Sequence, residues 1–132
     1  MNTNTAGDLS VSAFLFKCQK NLVDVAIPFG VKRYDLLIYL DNKWNRVQIK
    51  TGRIKNGAVL FSTHSVVSRM HKKCLKKDYR GEIEFFGVYS PKLDTTYLVP
   101  VDEVGTDTGF LRFALAKNGQ KGRIRLAKDF EF

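Results

Sequence analysis

The sequence predicts an α/β domain: an amphipathic N-terminal helix, then an antiparallel β-meander in a sheet flanked by helical segments. Three observations carry this. Apolar residues recur at helical spacing near the N-terminus and at period two farther on. Two turn signals, "DNK" at 41–43 and "KNG" at 55–57, separate the period-two runs. The 132 residues suffice for one modest core and not two, so a single domain over 1–132 is expected.

Each element follows in order. Within "GDLSVSAFLFKCQKN" (7–21), Val11, Phe14, Leu15 and Cys18, continued by Leu22, form one buried helical stripe, and Asp8 is suited to its N-terminus. "VDVAIPF" (23–29) alternates as a short strand ending near Pro28 and Gly30. In "RYDLLIYL" (33–40), apolar side chains fall on both faces, the mark of a central strand. "WNRVQIKTGRI" (44–54) sets Val47 and Ile49 against Arg46, Gln48 and Lys50; "AVLFSTHS" (58–65) returns as the third strand of the meander. Residues 65–80 read as a weak helix or ordered loop, with Val67, Met70 and Cys74 on one side and Arg69, Lys72, Lys73, Lys76, Lys77 and Arg80 on the other. "EIEFFGVYS" (82–90) and "YLVPV" (97–101) are strands joined by a turn, and the remainder has Gly-rich turns and a second basic cluster at Lys117, Lys121, Arg123, Arg125 and Lys128.

Charge narrows the function. Twenty-two Lys+Arg against 13 Asp+Glu leave a net charge of +9 and a pI near 9.7. That exceeds what solubility needs and points to a polyanionic partner, nucleic acid first. A membrane is disfavoured: there is no apolar run of spanning length, no lipidation signal, and "MNTNTAGD" lacks the parts of a signal peptide. A cytoplasmic protein is expected, with Cys18 and Cys74 as reduced thiols. His64 and His71 are too isolated for a zinc site and suit the surface or a DNA-facing position.

The polar residues inside the apolar strands carry the chemistry. With Asn42 and Lys43 as the turn, Asp35 stands opposite Lys50 and Leu37 opposite Gln48, so Asp35, Gln48 and Lys50 share one face. One reading is a cross-strand ion pair beside an amide, contributing about 0.2–1 kcal/mol. The other is a divalent-metal site for phosphodiester hydrolysis. Mg²⁺ prefers oxygen donors, which Asp35, the Gln48 side chain and the Ile49 backbone carbonyl would supply; Mn²⁺ could substitute. Lys50 would meet the attacking water and the scissile phosphate.

Asp35, followed by Gln48-Ile49-Lys50 on the next strand, resembles the motif of the PD-(D/E)XK nucleases. The stretches "IPFG…RYDLLIYL…RVQIKTGRIKNG", "YRGEIEFFGVYSP" and "TTYLVPVDEVG" are similar to short bacterial members of that family that include intron-encoded homing endonucleases. The resemblance covers roughly 6–130 and implies a restriction-endonuclease-like core with a mixed central sheet. Three positions depart from the family pattern. Tyr34 replaces the motif's Pro, and Gln48 replaces its usual acid, as in the intron-encoded branch. Val11 stands where the family carries a Glu four residues after a Gly; a carboxylate there would point at the patch, with Asp8 as a substitute one turn earlier.

The resemblance implies a Mg²⁺-dependent, site-specific endonuclease of the homing type acting on double-stranded DNA as a homodimer or homotetramer, since two cuts need two sites. A Holliday junction resolvase and a catalytically impaired DNA-binding variant are the alternatives. Arg69, Lys72, Lys73, Lys76, Lys77 and Arg80 would contact phosphates, and Arg53 and Lys55 sit on a two-stranded ribbon able to enter a major groove.

Overall fold

Asn2 starts the helix. Its backbone is extended and its Oδ1 accepts the Thr5 N–H at 2.8 Å, so α1 runs Thr3–Lys20. Asp8 therefore lies inside the helix and does not cap it. Ser10, Phe14 and Cys18 are buried, with Val11 and Leu15 packed beside them. Leu22, expected on this stripe, falls past the helix end and is 88% exposed. The protein is described from a computed structural model over residues 2–69, 72–113 and 125–132, the side chains of 67–69 and 72–74 excepted.

Among the described residues ten strands follow: β1 (Val25–Ala26), β2 (Leu36–Leu40), β3 (Lys43–Thr51), β4 (Arg53–Lys55), β5 (Ala58–Ser62), β6 (His64–Arg69), β7 (Lys72–Asp78), β8 (Phe85–Ser90), β9 (Thr95–Pro100) and β10 (Thr108–Arg112). Short 3-10 turns occupy Val101–Glu103 and Ala127–Phe130. The central sheet has the order β1-β2-β3-β8-β9, with β3 and β8 parallel and the other neighbours antiparallel. It is the mixed sheet that the family resemblance implies.

The expected three-stranded meander is divided between two sheets. β2 pairs with β3, and β5 returns on β4 through the Asn56–Gly57 turn, both as foreseen; but β4 and β5 lie with β10 in a second sheet, and β8 takes the free edge of β3. The cause is at Gly52. A Cβ there would come within 2.6 Å of Val59 Cγ1 and 3.1 Å of Val88 Cγ1, so a bare backbone lets the chain leave β3 and cross between the two sheets.

The register of β2 on β3 also differs from expectation. Leu40 faces Lys43 and Leu36 faces Val47, making Asp41 and Asn42 the turn, at φ 54° and 62°. Both residues tolerate the left-handed region that this two-residue turn demands, and Lys43 does so less readily. Asn45 fixes the turn from within the sheet, its Nδ2 donating to the Leu40 and Lys43 carbonyls at 3.1 Å each. The shift is by two residues, so facing is preserved although partners change.

Most of 65–80 forms a hairpin where described and not a helix: β6 and β7 pair antiparallel, from His64↔Asp78 to Arg69↔Lys72, and Tyr79 and Arg80 follow in a turn. Val66 and Val67 favour the strand, and Arg33 ties both stems together. Its guanidinium donates to Ser65 Oγ and to the Asp78 carbonyl at 2.7 Å. Met70 and His71 lie outside the described residues.

Two cores flank the central sheet. On one face Leu36, Ile38, Val47 and Ile49 meet Phe14 and Cys18 of α1. Gly87 makes this fit: a Cβ would lie 2.7 Å from both Phe14 Cε2 and Ile49 Cδ1. On the other face Phe86, Val88, Tyr97 and Val99 pack with Val59, Phe61 and Leu111 of the second sheet. Thus a sheet, and no second helix, covers the face opposite α1 among the described residues.

Candidate active site

Alternation along β2 and β3 sends Leu36, Ile38, Val47 and Ile49 toward α1. Leu37, Arg46, Gln48 and Lys50 therefore leave on the opposite face. Asp35 lies just before β2, and the regular pairing ends at Leu36 opposite Val47. The Asp35 N–H donates to the carbonyl of that same Val47 at 2.9 Å, so the ladder is offset by one residue there and Asp35 does not stand across from Lys50, as the sequence suggested it would. Gln48 and Lys50 share the face opposite α1, the Asp35 carboxylate lies at the strand edge against the Ile49 N–H, and β8 closes the far side, with Phe86 beside Gln48 and Val88 beside Lys50.

β2 stops where β3 continues, and the Asp35 side chain takes over the vacated edge. Its Oδ2 accepts the Ile49 N–H at 2.8 Å. In a strand the N–H and C=O of one residue point to the same edge, so the Ile49 carbonyl emerges beside this carboxylate, beyond the end of β2. Burial pushes the Asp35 pKa above its ordinary value; the Ile49 hydrogen bond and the charge of Lys50 oppose that without cancelling it.

Lys50 reaches the other way. Its Nζ donates to the His64 carbonyl at 3.3 Å and to Tyr79 Oη at 3.4 Å, and lies 4.9 Å from the centre of the Tyr79 ring. Gln48 is half-buried and makes no side-chain hydrogen bond among the described residues. Arg46, next along the face, is held by Glu84 through Nε at 3.1 Å to each carboxylate oxygen.

Could these residues hold a metal? Among the described residues, no three His, Cys, Asp or Glu side chains converge. What the patch offers is one carboxylate, one amide oxygen and one backbone carbonyl, all hard oxygen donors. That set fits Mg²⁺, which keeps several waters and asks for few protein ligands. It does not fit zinc. Val11 adds no donor to the set: it packs against the α1-side core. The helix residue that meets the end of β3 is Ser10, whose Oγ is 2.7 Å from Thr51 Oγ1.

The cations divide into two groups. Arg53 and Lys55 are exposed on β4, facing Leu60 and Ala58 across the hairpin whose turn is Asn56–Gly57. In the second group Lys76 pairs with Asp107 at 2.6 Å, Lys77 with Glu82 at 3.6 Å and Arg80 with Asp78 at 3.6 Å. Arg69, Lys72 and Lys73 belong to β6 and β7, their side chains outside the described set. Of the second basic cluster, Arg125 pairs with Glu103 at 3.4 Å, while Lys117, Lys121 and Arg123 lie outside the described residues. His64 is largely covered, its Nδ1 2.9 Å from the Asp107 carbonyl. Cys18 is buried, which pushes its thiol up to about 11 and leaves it inert.

Arg33 and Tyr79 were missed from the sequence. Both touch the patch through the β6–β7 hairpin, and reading 65–80 as a helix hid that. The β-branched pair Val66-Val67 was the signal available.

The profile of the PD-(D/E)XK endonuclease family matches residues 1–132. Among solved structures the chain is similar to a bacterial homing endonuclease, I-Ssp6803I, with a TM-score of 0.74 and 20% identity, over 99% of this chain and 89% of that one. At that identity the likeness bears on the fold. No curated protein matches the sequence. No described helix is long and apolar enough to cross a membrane.

Proposed function

Since the chain belongs to the PD-(D/E)XK endonuclease family, we propose that it is a Mg²⁺-dependent, site-specific endonuclease of the homing type acting on double-stranded DNA. The observation that carries this is the gathering of Asp35, Gln48, Lys50 and the Ile49 carbonyl at the end of β2. Asp35, the Gln48 side-chain oxygen and the Ile49 carbonyl would hold Mg²⁺, or Mn²⁺ in its place. When bound, the ion polarises a phosphoryl oxygen and lowers the pKa of a bound water. Lys50 places a positive charge where negative charge builds on the phosphate during attack.

The duplex is held by cations around the patch. Lys76, Lys77 and Arg80, with Arg69, Lys72 and Lys73 of the same hairpin, supply phosphate contacts; Arg53 and Lys55 sit on the ribbon that enters a groove. Two strands need two cuts, so the working unit is a homodimer or a dimer of dimers.

A second reading, DNA binding without turnover, draws on Gln48 standing where the family motif has an acid. One assay separates the two: nicking of supercoiled plasmid carrying the target, with and without Mg²⁺, by wild type, Asp35→Asn and Lys50→Ala. The enzyme reading requires Mg²⁺-dependent nicking by wild type that both variants lose by about a hundredfold or more, with DNA affinity retained. Tight binding with intact plasmid from all three overturns it. Junction against linear duplex as substrate decides between a resolvase and the homing type.

A further inference from the structure

The two groups that hold the Lys50 ammonium bracket a single hairpin. His64 opens β6, and Tyr79 directly follows β7. His64 pairs with Asp78, the neighbour of Tyr79, so the two stems meet at the point where Lys50 lands. An ammonium has three N–H donors. Two are directed at the His64 carbonyl and at Tyr79 Oη, at 3.3 and 3.4 Å, which leaves one for a substrate oxygen.

Tyr79 is itself fixed. It is 4% exposed, and its ring stands edge-on to Phe86, 5.6 Å between centroids at 89°. The Arg33 guanidinium lies over the ring, Cζ 4.0 Å from its centre. The same guanidinium donates to the carbonyls of Lys77 at 3.3 Å and Asp78 at 2.7 Å, to Ser65 Oγ, and to Glu82 Oε2 at 3.0 Å. Arg33 thus clamps both stems of the hairpin and the tyrosine between them. This hairpin also carries Lys72, Lys73, Lys76 and Lys77.

We propose that Tyr79, together with the His64 carbonyl, positions the Lys50 ammonium, so that the basic hairpin that grips DNA and the lysine that meets its phosphate move as one body. The inference rests on the nuclease reading of the Asp35–Lys50 patch. It assigns to Tyr79 a role in aiming Lys50 and none in contacting substrate. A long, flexible lysine is a poor electrostatic catalyst unless its head is fixed, because small misplacements of a reacting group cost large factors in rate.

Tyr79→Phe is the discriminating variant: it keeps the ring on Arg33 and Phe86 and removes only Oη. Single-turnover cleavage at saturating protein should fall about tenfold, with the Kd for the duplex and the melting temperature unchanged. In a Lys50→Ala background Tyr79→Phe should cost nothing more, since the pair then has no interaction left to lose. Full-rate cleavage by Tyr79→Phe, or a loss of rate that tracks a loss of melting temperature, overturns the inference and leaves the nuclease reading standing. If wild type cleaves nothing, the nuclease reading fails, and NMR of the metal-free protein decides whether the contact exists. The Lys50 Hε protons should be shifted upfield by the Tyr79 ring in wild type and Tyr79→Phe, and return to ordinary values in Tyr79→Leu. Ordinary values in wild type overturn the contact itself.

Discussion

Asp35 accepts the Ile49 N–H at 2.8 Å, a bond that would belong to the next residue of β2 had the strand continued. A side chain thus completes the ladder and brings a carboxylate against the backbone of the strand that carries Gln48 and Lys50. Burial raises the Asp35 pKa, the Ile49 and Lys50 contacts only partly offsetting it, so the folded state holds its proton more tightly than the unfolded chain. By linkage the stability from this group is full below the unfolded pKa and lost as pH rises through the folded one. At neutral pH the carboxylate therefore costs stability. Asp35→Asn, whose Oδ1 can still accept the Ile49 N–H, should raise the melting temperature at pH 7 in chelator while abolishing cleavage. The gain should vanish when thermal melts are repeated below the ordinary carboxylate range. A lower melting temperature at pH 7 would refute it.

Gln48 adjoins Ile49, whose N–H the Asp35 carboxylate holds, and this gives a test of that placement. Gln48→Glu adds a second carboxylate one residue from that bond, and like charges so close in a sheet are destabilising by about 0.2–1 kcal/mol. Melts in chelator should show that loss, and millimolar Mg²⁺ should reverse it and raise the melting temperature above that of wild type in the same buffer. Equal melting temperatures for Gln48→Glu and wild type in chelator would mean that the Asp35 carboxylate does not sit beside this part of β3.

How much of this was legible in the sequence turns on local against long-range information. The alternation of Val47 and Ile49 with Gln48 and Lys50 is local, and it placed Gln48 and Lys50 on one face even with the turn misjudged. The turn was misjudged by one residue: "DNK" offers two overlapping turn pairs, and Asp41–Asn42 is favoured by its readier left-handed backbone together with the capping of Leu40 and Lys43 by Asn45. The parallel pairing of β3 with β8 was not legible, since nothing local marks which strand will fill an edge. The hairpin over 64–78 was hidden by its lysines, whose spacing suits a helix face as well as a strand. What decides for the strand is Arg33, far off in sequence.

Arg53 and Lys55 have no carboxylate within ion-pairing distance among the described residues, whereas Lys76 and Lys77 are paired with Asp107 and Glu82. Unpaired cations release the most counterions on meeting phosphate. Arg53→Gln combined with Lys55→Gln should therefore reduce the slope of log Kd against log salt by about two. Lys76→Gln should reduce it by less than about one, because freeing Asp107 partly offsets the contact. Fluorescence anisotropy over a salt series measures both, and equal slopes for the double variant and wild type would remove β4 from the interface.

Gly87 lets α1 lie on the sheet directly behind Ile49. Gly87→Ala puts a methyl 2.7 Å from Phe14 Cε2 and from Ile49 Cδ1. Overpacking of this kind costs about 1–3 kcal/mol, so denaturant midpoints should fall by a corresponding amount. The push on Ile49 is passed to its N–H and carbonyl, so Mg²⁺-dependent cleavage should weaken at temperatures where the fold is intact. A variant as stable and active as wild type would mean that α1 does not seat as described.

Glu84 and Arg46 give the acid limit of the fold. The Arg46 guanidinium holds the Glu84 carboxyl below its ordinary pKa, with the Arg46 backbone N–H adding a bond at 2.7 Å. A depressed carboxyl contributes stability that is present above its unfolded pKa and is lost as pH falls through the folded one. Both side chains are about one-third exposed, 37% and 28%, so solvent screens much of the attraction. The pair nonetheless joins β3 to the entrance of β8, where the Glu84 N–H also donates to the Arg46 carbonyl at 3.0 Å. Glu84→Gln should therefore lower the melting temperature at pH 7 and leave it unchanged at a pH below the folded pKa, where wild-type Glu84 is itself protonated. Melts across that range, at low and high salt, should show the difference between the two proteins opening as pH rises and narrowing with added salt. A gap that persists undiminished into strong acid would mean that the carboxyl acts there by packing and not by charge.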